Sequence, residues 1–186
     1  MLDKKQFERI RQEFKRFEEQ RETVIQTSRV IINLSKQIIF GLQRSDRKKA
    51  EGLIKEIKAL VKKLPQEQFD ANIQNVAKQE FVEAMCFYEF VANKKIPTPK
   101  ELGVEDENYL LGLCDLTGEL VRKAVMDGIN KDFNSANEIH ELVQEIYEEF
   151  LKFDLRNGEL RKKADSIKWN LKRLDDLLYD VAMKRG

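Results

Sequence analysis

Residues 3–43 read DKKQFERIRQEFKRFEEQRETVIQTSRVIINLSKQIIFGLQ, with no proline and no glycine before Gly41. Apolar residues recur at helical spacing through Phe7, Phe14, Phe17, Val24, Ile31, Leu34, Ile38 and Leu42, which predicts one very long α-helix. At about 1.5 Å per residue it runs roughly 60 Å, whereas a compact chain of this length is roughly 40 Å across. The helix is expected to overhang its own bundle. Apolar side chains on an overhang must be buried on something, and another copy of the same chain is the simplest candidate. An oligomer is expected.

Further along, Ser45 or Asp46 suits the cap of a second helix with Leu53, Ile57, Leu60 and Leu64 on one face and Pro65 ending it. Asp70 suits the cap of a third helix reaching Asn93. Thr98-Pro99-Lys100-Glu101 then reads as a capping box with proline at the first helical position, opening a short helical turn. A fourth long helix is expected over about 106–128, and a fifth from Ser135 with Glu138 as its box partner. The last, after Asn157-Gly158, carries Ile167, Leu171, Leu174, Leu178 and Val181 on one face. The reading is an all-α bundle of about six or seven helices, one domain over residues 1–186.

Composition narrows the function classes. With 8 Gly, 3 Pro and 41% hydrophobic residues among 186, the chain has too few breakers for an all-β fold and too much apolar content for disorder. Its 34 Lys and Arg nearly cancel 33 Asp and Glu, so a nucleic-acid surface must be a local patch. No segment approaches the roughly 20 apolar residues that span a bilayer. The first eight residues are too polar for a signal peptide, so a cytoplasmic location is expected. Cys86 and Cys114 are far apart and support neither a zinc site nor a disulfide framework. His140 stands alone, which removes paired Glu-x-x-His metal sites and histidine-activated nucleophiles, and it reads as a surface helix residue. Trp169, Tyr179, Phe150 and Phe153 follow helical faces and read as packing or interface residues.

The third helix is apolar on nearly every side around Gln79-Glu80-Phe81-Val82-Glu83-Ala84-Met85-Cys86-Phe87, so it should be central. Glu80 and Glu83, at i and i+3, share one of its faces. In the fourth helix Asp115 and Glu119, at i and i+4, repeat the pattern, although such like-charge pairs cost roughly 0.2–0.5 kcal/mol in an isolated helix. Gly112 and Gly118 weaken that helix further but permit close approach to the third, which would bring four carboxylates together. Basic neighbours offer one way to neutralise them: Arg122 or Lys123 for Glu119, a lysine from a neighbouring helix for Asp115, and basic residues of another helix for Glu80 and Glu83. A metal ion is the other way, and an all-oxygen, partly hydrated site suits Mg²⁺ or Mn²⁺, the ions of phosphodiester chemistry.

The block Tyr109-Leu110-Leu111-Gly112-Leu113-Cys114-Asp115-Leu116-Thr117-Gly118-Glu119-Leu120-Val121-Arg122 and the earlier Glu80-Phe81-Val82-Glu83-Ala84 resemble the two acidic blocks of the translin family, specifically its Trax branch. Ser28-Arg29 and Ser35-Lys36 are similar to Trax in spacing. The resemblance implies a helical protomer that assembles into a hollow shell, usually an octamer, and binds single-stranded RNA or DNA. In the Trax branch it also implies an Mg²⁺-dependent endoribonuclease. The family's catalytic and metal-holding carboxylates correspond to Glu80, Glu83, Asp115 and Glu119, a set the translin branch lacks. Animal Trax works in a mixed shell with translin, so a second translin-family subunit is one implied partner. This chain lacks the long insertion that animal Trax carries between the acidic blocks, as expected of a prokaryotic or archaeal-type homologue able to form a homo-oligomer.

Arg29 and Lys36, seven apart on one side of the first helix, are candidate phosphate contacts. The reading that follows is a metal-dependent endoribonuclease, with a non-catalytic single-stranded RNA or DNA binding shell as the alternative. A purely structural helical module is the third.

Overall fold

The computed structural model describes residues 2–65 and 69–185. Among them are seven helices and no strand: α1 (Lys4–Gln43), α2 (Arg47–Val61), α3 (Ala71–Asn93), α4 (Pro99–Leu102), α5 (Asp106–Ile129), α6 (Phe133–Phe150) and α7 (Glu159–Arg185). The all-α expectation holds. α3 and α5 form the middle of the bundle, with α1 and α2 on one side and α6 and α7 on the other. Phe81, Met85 and Phe87 of α3 and Leu116 and Leu120 of α5 are almost wholly removed from solvent. Each contributes roughly 1.5–3 kcal/mol, and Ile31, Ile38, Leu42, Ile57, Ile139, Ile167 and Leu174 of the flanking helices are buried as completely. None of the helices is long and apolar enough to cross a membrane.

α1 runs parallel to α3, because Arg21 meets Asp70 at the foot of α3 and Lys36 meets Glu80 about three turns further on. Every residue from 4 to 20 is exposed, and the first buried side chain of α1 is Val24. The overhang expected from length alone is therefore present, roughly 25 Å of it.

Several caps differ from their sequence reading. Of the two cap residues read for α2 it is Asp46 that fills the position, accepting from the Lys49 N–H, while Ser45 takes the left-handed conformation that closes α1. α2 stops at Val61, and Leu64 lies in the turn after it. Asp70 occupies the cap position of α3 without a side-chain capping bond, because its carboxylate is held by Arg21 at 2.9 Å. α6 begins at Phe133 and is capped by Asp132, while Ser135 donates its hydroxyl to Asp127 and Glu138 pairs with Lys94. The box at Thr98 and Glu101 is present as read.

The two glycines of α5 behave differently. A Cβ at Gly112 would lie 2.7 Å from the Gln79 carbonyl oxygen and from the Val82 Cβ, so only glycine lets α5 approach α3 this closely. Gly118 does not share that role. It is exposed, and its nearest neighbour would be the Asn170 side chain at 3.9 Å.

Candidate functional site

Close packing at Gly112 sets the acidic turn of α3 beside the acidic turn of α5. Glu80 and Glu83 from α3 and Glu119 and Arg122 from α5 line a cavity of about 380 Å³, completed by Lys36, Ile39 and Phe40 of α1. Asp115 does not line this cavity but stands at its edge, close enough to act on both α3 carboxylates. The four acids singled out in the sequence are thus one electrostatic cluster, with three of them lining the cavity.

Glu83 is the most perturbed member. Burial pushes its carboxyl up to about 8, the charges of Asp115, Glu80 and Glu119 push in the same direction, and only the Lys163 ammonium opposes them. Glu83 has no hydrogen bond or ion pair with any described residue. Burial also raises Glu80, against the pull of Lys36, whose Nζ lies 3.6 Å from the Glu80 carboxylate. Asp115 is paired at 2.6 Å with Lys163 from α7, and the same ammonium donates to Gln79 at 3.3 Å. Glu119 accepts from the Gln43 amide at 2.9 Å, while Arg122 stands 3.9 Å away. That Gln43 nitrogen also donates to the Glu119 backbone carbonyl, so the last residue of α1 holds both the backbone and the carboxylate of Glu119, and its own amide oxygen is buried without a partner among the described residues.

Most of the neutralisation read as basic pairing is therefore present: Glu80 and Asp115 each have a lysine from another helix, and Glu119 has Arg122. Lys123 does not serve Glu119 but pairs with Asp127. Among the described residues no three His, Cys, Asp or Glu side chains converge tightly enough to hold a metal ion as they stand. The donor chemistry nonetheless suits a hard cation, since the set is all oxygen and its centre, Glu83, is a buried carboxyl lacking a counter-ion.

Lys36 lies at the mouth of the acidic cavity, and Arg29 is exposed two turns back along α1. Sequence reading missed Lys163, Gln43 and Phe40. Lys163 reaches the site from 48 residues beyond Asp115, a pairing that no local pattern encodes. Phe40 had a weak signal, an aromatic four residues after Lys36, and it is half exposed at the cavity.

Other candidates fall away from chemistry. His140 bonds Asp175 at 2.7 Å and ties α6 to α7. Cys86 and Cys114 are free and buried, and burial pushes the Cys114 thiol up to about 12, which leaves it inert. Of the four late aromatics only Phe150 is in the core, while Phe153, Trp169 and Tyr179 are exposed.

A sequence profile of the Translin family matches residues 19–185. An uncharacterised protein of Methanocaldococcus jannaschii is 31% identical over 153 residues, covering 78% of this chain and 68% of that protein. Translin-associated protein X of Mus musculus is 25% identical, covering 96% of this chain and 78% of its own length. The solved structure of apo-NeC3PO superposes with a TM-score of 0.89 at 27% identity, covering 96% of this chain and 97% of that one. AfC3PO in its complex with duplex RNA superposes with a TM-score of 0.76 at 28% identity, covering 97% and 98%. With the family profile spanning nearly all of the chain and the helical order shared end to end, this protein belongs to the translin family.

Proposed function

We propose that this chain is a Trax-like ribonuclease that binds RNA in an oligomeric shell and cleaves single strands with Mg²⁺ or Mn²⁺ held by Glu80, Glu83, Asp115 and Glu119. RNA binding draws support from the structural neighbour solved with duplex RNA. The observation that carries the catalytic half is Glu83, an unpartnered carboxyl at the centre of three others, pushed up to about 8. Of the four acids only Glu83 has no basic partner of its own, and a cation or a reacting group is one way to use such a carboxyl.

A divalent cation held by Glu80, Glu83, Asp115 and Glu119 would supply a Lewis acid for activating water and offsetting charge on a scissile phosphate. The chain's own residues do the remainder. Gln43 orients the Glu119 carboxylate through one bond and ties its backbone carbonyl through another. Lys36 and Arg122 line the cavity with the acids and offer phosphate oxygens a positive contact, and Arg29 extends that line along α1. Phe40 presents a ring beside the same cavity, where an unpaired base can stack. Lys36 and Lys163 stand as counter-ions to Glu80 and Asp115, and a cation held by these carboxylates would compete with both ammonium groups.

That same lysine pairing favours a second reading, a binding shell whose acids are closed off by ammonium groups. One experiment separates them: incubation of labelled single-stranded RNA with Mg²⁺, Mn²⁺ or EDTA, comparing the unmodified chain with Glu83→Gln and Asp115→Asn at matched oligomeric state. The nuclease reading expects metal-dependent cleavage that falls at least about a hundredfold in either variant. Binding without cleavage in any metal, unchanged by the substitutions, overturns it in favour of the shell.

A further inference from the structure

We propose that the overhang of α1 from one copy docks head to tail in the apolar groove along α6 of the next copy. The inference rests on the assembly half of the proposed function and is independent of its nuclease half. The groove is a cavity of about 730 Å³ between the end of α3, α5 and α6, about twice the volume of the acidic one. Its floor is apolar, with Phe90, Leu110, Leu113, Leu142 and Ile146. Its α6 wall is acidic: Glu138, Glu141, Glu145 and Glu149 follow one another at spacings of three, four and four along a single helix face. α6 carries five Glu and no Lys or Arg. Glu141 and Glu145 have no ion pair with any described residue, whereas Glu138 and Glu149 are paired with Lys94 and Lys152.

The overhang is the complement. Phe7, Ile10, Phe14 and Phe17, spaced three, four and three, form an apolar seam that is open to solvent along most of its length. Phe17 touches Phe69 at its inner end. Between residues 4 and 20 there are six Lys and Arg against four Glu. On one flank of the seam Lys4, Arg11 and Lys15 stand at offsets of seven and four, the offsets that separate Glu138, Glu145 and Glu149 on α6. The lengths agree as well: 17 overhanging residues and the 18 residues of α6 each span roughly 25 Å.

Direction excludes the overhang's own groove. Because α1 is one unbroken helix parallel to α3, its overhang leaves past the first residues of α3 and cannot turn back into the groove, which runs from Lys94 and Ile96 to Leu110 and Phe153. The two surfaces are therefore separate on one molecule, and their pairing between copies is a heterologous contact that can close into a ring. A seam of this spacing has one obvious competitor, antiparallel pairing of two overhangs.

The test places a photoreactive benzoylphenylalanine at position 14 of the full chain, mixed with an equal amount of isotopically heavy chain before assembly, and maps the light–heavy adducts by mass spectrometry. Adducts on α6 or on the α5 segment that carries Leu110 and Leu113 are expected. A second variant, Glu141→Lys with Glu145→Lys, should lose most of those adducts and stop short of the full assembly by sedimentation. Adducts between overhangs, or an assembly indifferent to the α6 charge reversal, overturn the contact while leaving assembly itself intact. An unmodified chain that stays monomeric at micromolar concentration overturns both.

Discussion

The seam between α3 and α5 and the overhang of α1 both break the usual partition of side chains, in opposite directions. In the seam an acid, Glu83, stands where an apolar residue would pack, while in the overhang Phe7, Ile10 and Phe14 stand where polar residues would be solvated. The consequences differ in kind. A buried carboxyl costs free energy inside the folded chain, because its charged form has lost water without gaining a partner. An exposed phenylalanine costs the fold almost nothing, because it is equally exposed in the unfolded chain. It represents only contact free energy not yet realised, about 25 cal/mol for each Å² it could bury. Changes in the seam should therefore move folding stability, and changes in the overhang should move association alone.

The largest effect expected on that contrast is at Glu83 in the metal-free protein. Its carboxyl is raised from 4.5 to about 8 by burial, so between those pH values the unfolded chain has released a proton that the folded chain retains. Stability must then fall as pH rises through this window, by about 1.4 kcal/mol per unit at most, and level off above pH 8. Glu83→Gln removes the share of the dependence that Glu83 carries and leaves that of Glu80, which burial also raises. The variant should be the more stable protein at pH 8, by up to several kcal/mol, with the gain vanishing towards pH 4.5, as read by urea denaturation at both ends. An equal gain at both pH values, or none at pH 8, would mean that the seam carries no ionisation cost and resembles the overhang more closely than argued.

A smaller effect, with opposite signs at two neighbouring glycines, sharpens the same point. Gly112→Ala would force a Cβ to within 2.7 Å of the α3 backbone and should cost about 1–3 kcal/mol. Gly118→Ala meets only the Asn170 side chain, at 3.9 Å, and should gain about 0.5–1 kcal/mol from helix propensity. Thermal melts of the two variants decide it, and a loss of similar size at both would remove the close approach at Gly112 as the device that joins the acidic turns.

The helices were legible in the sequence because their signals are local and repeated: unbroken periodicity over α1, the box at Thr98 and Glu101, and the stripe at Ile167 and Leu174 on α7. The pairing of α3 with α5 was legible for a different reason, since two like-charged turns and Gly112 made sense only together. Caps failed where tertiary partners outbid local ones. Asp70 is held by Arg21, 49 positions away, and Glu138 by Lys94. Lys163 and Gln43 were invisible for the same reason: a lysine or glutamine on a helix carries no mark of the carboxylate it will meet from another helix. Gly118 was misread because helical spacing alone does not say which neighbour a glycine faces.

The smallest effect on folding, and the one that most directly breaks the comparison if it fails, belongs to the overhang. Phe14 is 66% exposed, so Phe14→Ser in a dilute, monomeric sample should leave the unfolding free energy within about 0.5 kcal/mol of the unmodified chain. At higher concentration the two proteins should diverge. Association that binds only folded chains raises the melting temperature of the unmodified protein as concentration increases, and a variant that cannot dock loses that dependence. A melting temperature that drops by many degrees even at high dilution would show that the phenylalanine seam already supports the single chain. The overhang would then belong to the core it was contrasted with, and the apolar side chains of residues 4–20 would need no second copy to explain them.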